Sequence, residues 1–363
     1  MNLQCQPFSG TDFTNYIENL FTNGNGNEKD PVDGNVIILQ KASEGAGIDV
    51  VLMGDAFSSS SIENGTYSNT MHTAMEKFFS EEPYKSFRKY FNVYSVTVVS
   101  PADGYSNSGM GGGEKPALET FFGEGTLVGG NDEKVMGYAR KALGEERIKD
   151  ALLIVMLNSN KYAGTCYMYY PESGDYGNGL SISYFPIGSD ESALGKVLCH
   201  EACGHGFAKL SDEYAYEEYG TVPETEKNTA KYLMGYGWYK NVDFTDDPIE
   251  VQWAGFLADS RYANDGLGIY EGGMTYWKGV WRPTENSIMR HNTGGFNAPG
   301  REAIYIRIHK LAFGEEWQYN YEDFVNWDSG NRNKPAADTK AGYSDVSSDF
   351  IPLHPPVVVG KVN

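Results

Sequence analysis

Short apolar runs alternate with segments of helical spacing along the first half of the chain. Residues 36–40 and 48–53 are β-branched runs that predict two strands, and Gly45-Ala46-Gly47 predicts the turn between them. Residues 93–99 and 151–157 predict two more strands. Two helices are predicted between the strands, one from the spacing of Tyr67, Met71, Ala74, Met75, Phe78 and Phe79, and one from the segment 133–143.

The order of these elements indicates the fold class. Residues 151–157 are almost wholly apolar, which is typical of a strand covered on both faces. The order β-β-α-β-α-β therefore predicts an α/β fold in which helices pack on a twisted mixed sheet. Residues 181–185 predict one further strand, at an edge of that sheet.

Three regions follow from composition. Residues 1–34 are polar and rich in Gly and Asn, and we expect an N-terminal extension or linker there, or the end of an absent upstream domain. Residues 35–314 form the main domain, in which residues 104–113 predict a glycine-rich loop. Residues 315–363 lose periodicity and include the Pro-rich stretch 351–356, which predicts a C-terminal tail packed on the domain or partly disordered.

The hexapeptide His200-Glu201-Ala202-Cys203-Gly204-His205 carries the most chemical information in the chain, and its apolar neighbours predict a buried helix. At about 100° per residue, position i+4 returns to within about 40° of the start, whereas i+5 overshoots by about 140°. A regular α-helix would therefore point His200 and His205 apart, and a π-turn would bring them together. The alternatives are a π-bulged metal site and a core histidine pair without a metal.

Two imidazoles and a carboxylate on a buried helix need partners, because burying charge alone is costly. A zinc ion would be such a partner, with His200 and His205 as ligands and Glu201 as the base that activates a bound water. A catalytic zinc site needs a third protein ligand, and Asp212 and Glu213 both follow the helix. We prefer Asp212, because the chain must turn after Leu210 and Asp suits such a turn.

Charge and cysteine content exclude several classes. The net charge of −20 argues against nucleic acid and against an anionic membrane surface as partners. No apolar run approaches the roughly 20 residues of a membrane span, and four cysteines are too few for a disulfide scaffold. No signal peptide is visible, and we expect the sequence to begin after a removed one.

A family resemblance extends over about residues 35–312. The segment 200–214 (HEACGHGFAKLSDEY) resembles the active-site helix of the clostridial-type IgA-specific metallopeptidases, roughly H-E-x-G-H-x-F-x-x-L-x-D-E-Y, with one residue inserted after Ala202. Other segments resemble that family in the same order: Gly54-Asp55-Ala56-Phe57, Tyr90-Phe91-Asn92-Val93, Tyr270-Glu271-Gly272, Gly279-Val280-Trp281-Arg282-Pro283 and Asn286-Ser287-Ile288-Met289-Arg290.

The family is similar to the metzincins, which implies a metzincin-like zinc peptidase with an active-site helix and a Met-turn. Met289 fits the Met-turn, and an ordinary core methionine is the alternative. His291 stands where some metzincins have a tyrosine; it either donates a hydrogen bond to the developing oxyanion or is a solvated turn histidine. Glu213 and Tyr214 are expected next to the ligands.

Two departures from the family pattern bear on the site. The spacing of His200 and His205 resembles dipeptidyl peptidase III, whose helix carries H-E-x-x-G-H and still binds zinc. The family's cysteines near the last helix are replaced by Asn297-Ala298-Pro299-Gly300, so we expect no disulfide there.

The resemblance implies a zinc-dependent endopeptidase that hydrolyses peptide bonds of extracellular proteins, with Glu201 as general base. Its partner would be a protein or peptide substrate, held by β-augmentation on the predicted edge strand 181–185. The expected location is secreted, periplasmic or cell-surface. Two alternatives remain: a catalytically weak zinc-containing relative that acts as a protein- or glycan-binding module, and a non-proteolytic metal hydrolase such as an amidase.

Overall fold

The computed structural model describes residues 32–105, 115–170, 179–332 and 350–360. Most of the predicted N-terminal extension, and the predicted loop from residue 106 onward, lie outside these ranges. The strands are β1 (Val36–Gln40), β2 (Ile48–Asp55), β3 (Phe91–Val96), β4 (Phe121–Phe122), β5 (Val128–Gly129), β6 (Leu152–Leu157), β7 (Thr165–Tyr169), β8 (Ser181–Pro186), β9 (Ala215–Thr221), β10 (Leu267–Gly273), β11 (Thr275–Thr284) and β12 (Val357–Val359).

The helices include both of those predicted from the spacing of apolar residues. The α-helices are α1 (Ser59–Glu63), α2 (Thr66–Phe78), α3 (Tyr84–Phe87), α4 (Asp132–Arg147), α5 (Glu191–Leu198), α6 (Glu224–Met234), α7 (Ala254–Ala258), α8 (Ile288–His291), α9 (Ala298–Phe313) and α10 (Tyr321–Trp327). A π-helix, Cys199–Phe207, directly continues α5.

The main sheet is mixed, as expected, and its described strands run in the order β1-β3-β2-β6-β8-β7-β12. Strands β3, β2, β6 and β8 are parallel to one another. Strand β1 runs antiparallel to its neighbour β3, and β7 runs antiparallel to its neighbour β8. The predicted edge position of residues 181–185 is wrong. Strand β8 lies inside the sheet, because β7 and then β12 pair beyond it.

Strand β2 shows why the central strands are apolar at every position. Its side chains alternate in direction, so Val50 and Leu52 join the core that contains the π-helix, whereas Val51 and Met53 join the core under α4. Both faces are covered, and all four side chains are buried. Burial of each such side chain contributes about 1.5–3 kcal/mol. The continuous apolar run 151–157 has the same explanation.

A smaller three-stranded sheet, in the order β10-β11-β9, follows the π-helix along the chain. A third core lies between this region and β7, and it contains Cys166 and Met168 of β7 together with Trp238, Val242 and Val280. Cys166, Cys199 and Cys203 are all buried and free.

The C-terminal region is more structured than its sequence suggests. Residues 321–327 form α10, and β12 pairs in parallel with β7 from Val357 opposite Tyr167. The segment before β12 is also fixed, because Tyr214 donates a hydrogen bond to the carbonyl of Leu353 over 2.7 Å. None of the helices in the described ranges is long and apolar enough to cross a membrane.

Candidate metal centre and active site

The helix that carries the hexapeptide begins as an ordinary α-helix. The Asp190 carboxylate caps it by accepting hydrogen bonds from the backbone of Ser192 and Ala193, over 2.8 and 2.9 Å. From Cys199 to Phe207 the helix is a π-helix, and all nine residues are buried. The π-turn predicted from the spacing of His200 and His205 is therefore confirmed.

Neighbouring side chains support the irregular backbone of the π-helix. Tyr84 donates to the carbonyl of Cys203 over 2.6 Å, and Ser183 donates to the carbonyl of Glu201 over 3.0 Å. These two bonds tie the π-helix to α3 and to β8. The helix ends where Lys209 takes a left-handed conformation with φ of 55°.

Two glycines let this helix pack closely. A Cβ atom on Gly204 would lie 2.2 Å from the Met289 sulfur, and one on Gly206 would lie 2.7 Å from a methyl of Leu152. A side chain at either position would therefore require Met289 or Leu152 to shift. The sequence offered no sign of this requirement beyond the presence of the two glycines.

The π-turn brings three ligand-type atoms together. The Nε2 atoms of His200 and His205 lie 3.1 Å apart, and Oδ1 of Asp212 lies 3.1 Å from the first and 3.3 Å from the second. All three residues are about 1% exposed or less. Tetrahedral ligands at about 2.0–2.1 Å from a metal ion would be about 3.3 Å apart, so the triangle has the size that one ion requires.

Hydrogen bonds at the far side of each ring fix the tautomers. Nδ1 of His200 donates to the carbonyl of Ile288 over 2.9 Å, and Nδ1 of His205 donates to the carbonyl of Leu210 over 2.8 Å. A neutral imidazole has one N–H, so both Nε2 atoms present lone pairs to each other and to Asp212. Three buried acceptors that converge without a proton fit a bound cation.

The carboxylate of Asp212 completes this arrangement. Its Oδ2 is buried and makes no hydrogen bond within the described ranges. Burial alone would raise the pKa of Asp212, but His205 and His200, when either ring carries a proton at Nε2, outweigh burial and lower that pKa. The ionised carboxylate is the form that a metal ion binds.

Glu213, the other possible third ligand, has different partners. Its Oε1 accepts from Asn241 and Asn297 over 2.9 and 2.8 Å, and its Oε2 accepts from Ser287 over 2.7 Å. Glu213 therefore joins the segment after the helix to the segment before Met289. The structure brings Asp212, and not Glu213, into the histidine cluster.

Glu201 lies on the same turn as the two histidines and is completely buried. Among the described residues, neither of its carboxylate oxygens has a hydrogen bond of good geometry, and the backbone N–H of Cys166 is the one donor near enough to lower its pKa. Burial raises the pKa of Glu201 to about 8, and the charge of Asp212 adds to the increase while His205 opposes it. Such an unpaired buried carboxylate is costly unless it has a function or a further partner.

The sequence profile of the IgA peptidase M64 family matches residues 36–263, more than half of the chain. The chain belongs to the IgA peptidase M64 family. It is a metallopeptidase, a hydrolase that acts on protein or peptide substrates. A search of curated proteins found no match to this chain.

The part of the chain that matches the M64 profile contains His200, Glu201, His205 and Asp212, and it ends before Met289. His200, His205 and Asp212 form a buried cluster that could hold a metal ion. Two of the segments that resemble the family, 270–272 and 279–283, contact each other within the small sheet. There Arg282 donates to the carbonyls of Glu271 and Gly272, over 2.7 and 2.8 Å.

Met289 lies beside the cluster in this M64 protein, and it is 1% exposed. It packs against Gly204, the residue before His205, and its carbonyl accepts from the backbone of Glu213 over 2.9 Å. The short helix α8 is therefore joined both to the π-helix and to the segment that carries Asp212.

His291, at the end of α8, is not part of the metal-ligand cluster. Its Nδ1 lies 2.6 Å from Oδ1 of Asn286, and its ring packs edge-on against Phe350. Oδ1 of Asn286 also accepts from the backbone of Ser287, so Nδ1 of His291 carries the hydrogen. Burial, followed by the charges of Arg290 and Arg282, lowers the pKa of His291 to about 4. At neutral pH its Nε2 is therefore an acceptor.

The loop before β7 contributes a residue that the sequence did not identify. Gly164, just before β7, faces Glu201 so closely that a Cβ atom there would lie 2.8 Å from Oε1 of that residue. The Glu201 carboxylate therefore lies in a space that only a glycine leaves open. A lone glycine before an unrecognised strand carries no signal of this contact in the sequence.

Proposed function

We propose that this M64 metallopeptidase is a zinc-dependent endopeptidase that cleaves extracellular proteins, with Glu201 as the general base. One observation carries the proposal: the π-helix brings Nε2 of His200 and Nε2 of His205 to 3.1 and 3.3 Å from Oδ1 of Asp212, and the buried Glu201 lies on the same turn. Two histidines and one carboxylate are a ligand set that suits zinc and leaves a position open.

His200, His205 and Asp212 would hold the ion, and when bound it would acidify a water molecule and polarise the scissile carbonyl. Glu201 would take a proton from the attacking water and return it to the leaving amine. The lack of well-formed hydrogen bonds to Glu201 from the described residues supports this role, because a base that must exchange protons cannot have both oxygens occupied by permanent donors.

The surroundings of the cluster support its rigidity. Ile288 fixes the ring of His200, and Glu213 fixes the backbone next to Asp212 through Ser287 and Asn297. We propose that Met289 forms the apolar floor of the site, in the manner of a Met-turn. Ligands held by hydrogen-bonded neighbours keep their orientation.

We also propose His291 as a substrate-side catalytic residue. Its neutral ring, with Nδ1 fixed by Asn286, offers Nε2 as an acceptor, and it would donate from Nε2 only when protonated. Its contact with Phe350 joins it to the C-terminal segment. We further propose that the substrate is an extended peptide and that the protein acts outside the cytoplasm.

The test compares wild-type full-length protein with Glu201→Gln after loading both with zinc. Fluorescein-labelled casein is the substrate, and zinc per chain is measured in the same samples. Cleavage by wild type, with at least a thousandfold loss in Glu201→Gln and unchanged zinc content, is the expected result. Zinc binding without cleavage by wild type would favour the binding-module alternative. Hydrolysis of small amides but not of casein would favour the amidase.

A further inference from the structure

The loop between β6 and β7 passes directly beside the proposed base. Gly164, at the end of this loop, leaves room for the Glu201 carboxylate. Two residues earlier, Tyr162 is 45% exposed, so its ring remains accessible to a bound substrate. Burial of the hydroxyl end and the charge of Glu201 raise the pKa of Tyr162, so the phenol keeps its proton.

The position of the Tyr162 hydroxyl is fixed by Asn292. Nδ2 of Asn292 donates to the phenol oxygen over 2.8 Å. Asn292 is only 4% exposed and takes a left-handed conformation, with φ of 54°, directly after α8. The first residue of α8, Ile288, accepts the hydrogen bond from His200. The phenol is thus joined through one short helix to a metal ligand.

The hydrogen bond from Asn292 determines what the phenol can do. A tyrosine hydroxyl has one hydrogen to donate and lone pairs to accept. Because the Asn292 amide occupies a lone pair, the O–H hydrogen remains free, and the accepted bond polarises the hydroxyl into a better donor.

We propose that Tyr162 donates its hydroxyl hydrogen bond to the scissile carbonyl oxygen as negative charge develops there, and that Asn292 positions it. This inference rests on the proposed peptidase function. The proton stays on the phenol throughout, so no bond of Tyr162 is broken and no further reactant is needed. One such donor contributes about 10²–10³ in kcat.

The test uses full-length, zinc-loaded Tyr162→Phe with labelled casein. We expect kcat to fall by about 10²–10³ while KM changes less than about threefold. Zinc content and thermal midpoint should match those of wild type. Tyr219→Phe is the matched control, because Tyr219 is similarly exposed and its ring packs against that of Tyr216; the kcat of this variant should not change.

A second variant separates the donor from the residue that positions it. Glycine at position 292 can adopt the left-handed backbone but lacks the side-chain amide. Asn292→Gly alone should therefore lower kcat about tenfold. Added to Tyr162→Phe, it should cause no further loss, because the two residues act as one unit. The affinity for a phosphinic peptide, a mimic of the tetrahedral state, should fall by the same factor as kcat/KM.

The outcomes distinguish this inference from the function on which it rests. If wild type cleaves casein, Glu201→Gln does not, and Tyr162→Phe keeps half of the wild-type kcat, the role of Tyr162 is wrong and the peptidase function stands. If zinc-loaded wild type cleaves nothing and binds the phosphinic peptide no better than Tyr162→Phe does, both are overturned.

Discussion

The Nε2 atoms of His200 and His205 lie 3.1 Å apart although the two histidines are five positions apart in the sequence. An α-helix could not produce this distance, because residues at i and i+5 point in directions about 140° apart. The π-helix from Cys199 to Phe207 removes the discrepancy. The inserted residue in the motif is therefore accommodated by the backbone, and the two imidazoles still converge.

Asp212→Asn should weaken zinc binding by about a hundredfold or more, because it removes the ionised ligand from the cluster. Glu213→Gln is the matched control. Gln keeps an oxygen for Asn241 and Asn297, and its amide can donate to the Ser287 hydroxyl in place of the bond that Glu213 accepts. Competition with a zinc chelator measures both affinities. Equal losses in the two variants would contradict the assignment of Asp212.

Gly204→Ala should reduce the free energy of unfolding by about 1–3 kcal/mol, because the new methyl overlaps the Met289 sulfur. Met289→Ala removes that obstacle and leaves a cavity, at a cost of about 2–5 kcal/mol. In the Met289→Ala background, Gly204→Ala should then cost nothing further. Urea unfolding of the four proteins gives the coupling energy. Strictly additive losses would show that Gly204 and Met289 do not restrict each other.

Gly164→Ala should lower kcat by about ten- to a hundredfold while zinc content is unchanged, because its Cβ would displace the Glu201 carboxylate. Gly137→Ala in α4 is the control, since a Cβ there meets nothing within 4 Å and alanine favours a helix. Its activity should equal that of wild type. Full activity in Gly164→Ala would mean that the position of Glu201 does not limit the reaction.

The lowered pKa of His291 predicts that the free energy of unfolding depends on pH. Its pKa of about 4 in the folded protein is below its ordinary value of about 6.5. Between pH 4 and 6.5 the unfolded chain therefore binds more protons, and acid lowers the free energy of unfolding across that window. His291→Gln should lose less stability between pH 7 and 4.5 than wild type does, by a modest amount because the ring is half-buried. Urea unfolding in EDTA at both pH values measures the difference, and identical losses would contradict it.

The sequence predicted the central strands well because their constraint is local. Buried runs such as residues 151–157 need apolar side chains on both faces, and that requirement is visible in a single segment. The edge of the sheet was predicted wrongly for the opposite reason. Strand β12 comes from residues 357–359, which pair with β7 far away in the sequence. No local pattern encodes such a partner.

The candidate site was partly predictable for a similar reason. The spacing of His200 and His205 forces a choice between a π-turn and no metal site, so the π-turn followed from helix geometry. Asp212 and Glu213 are adjacent, and the sequence alone could not distinguish which carboxylate turns inward. The answer depends on Asn241 and Asn297, which hold Glu213 and arrive from distant parts of the chain.

The central claim is that the π-turn and Asp212 together hold one catalytic ion. X-ray absorption at the zinc K-edge, on full-length protein loaded with one equivalent of zinc, tests it most directly. We expect one ion with two imidazole nitrogens and carboxylate oxygen at about 2.0–2.2 Å, and loss of one imidazole in His205→Ala. A wild-type spectrum with a single imidazole, or a spectrum that His205→Ala leaves unchanged, would contradict it.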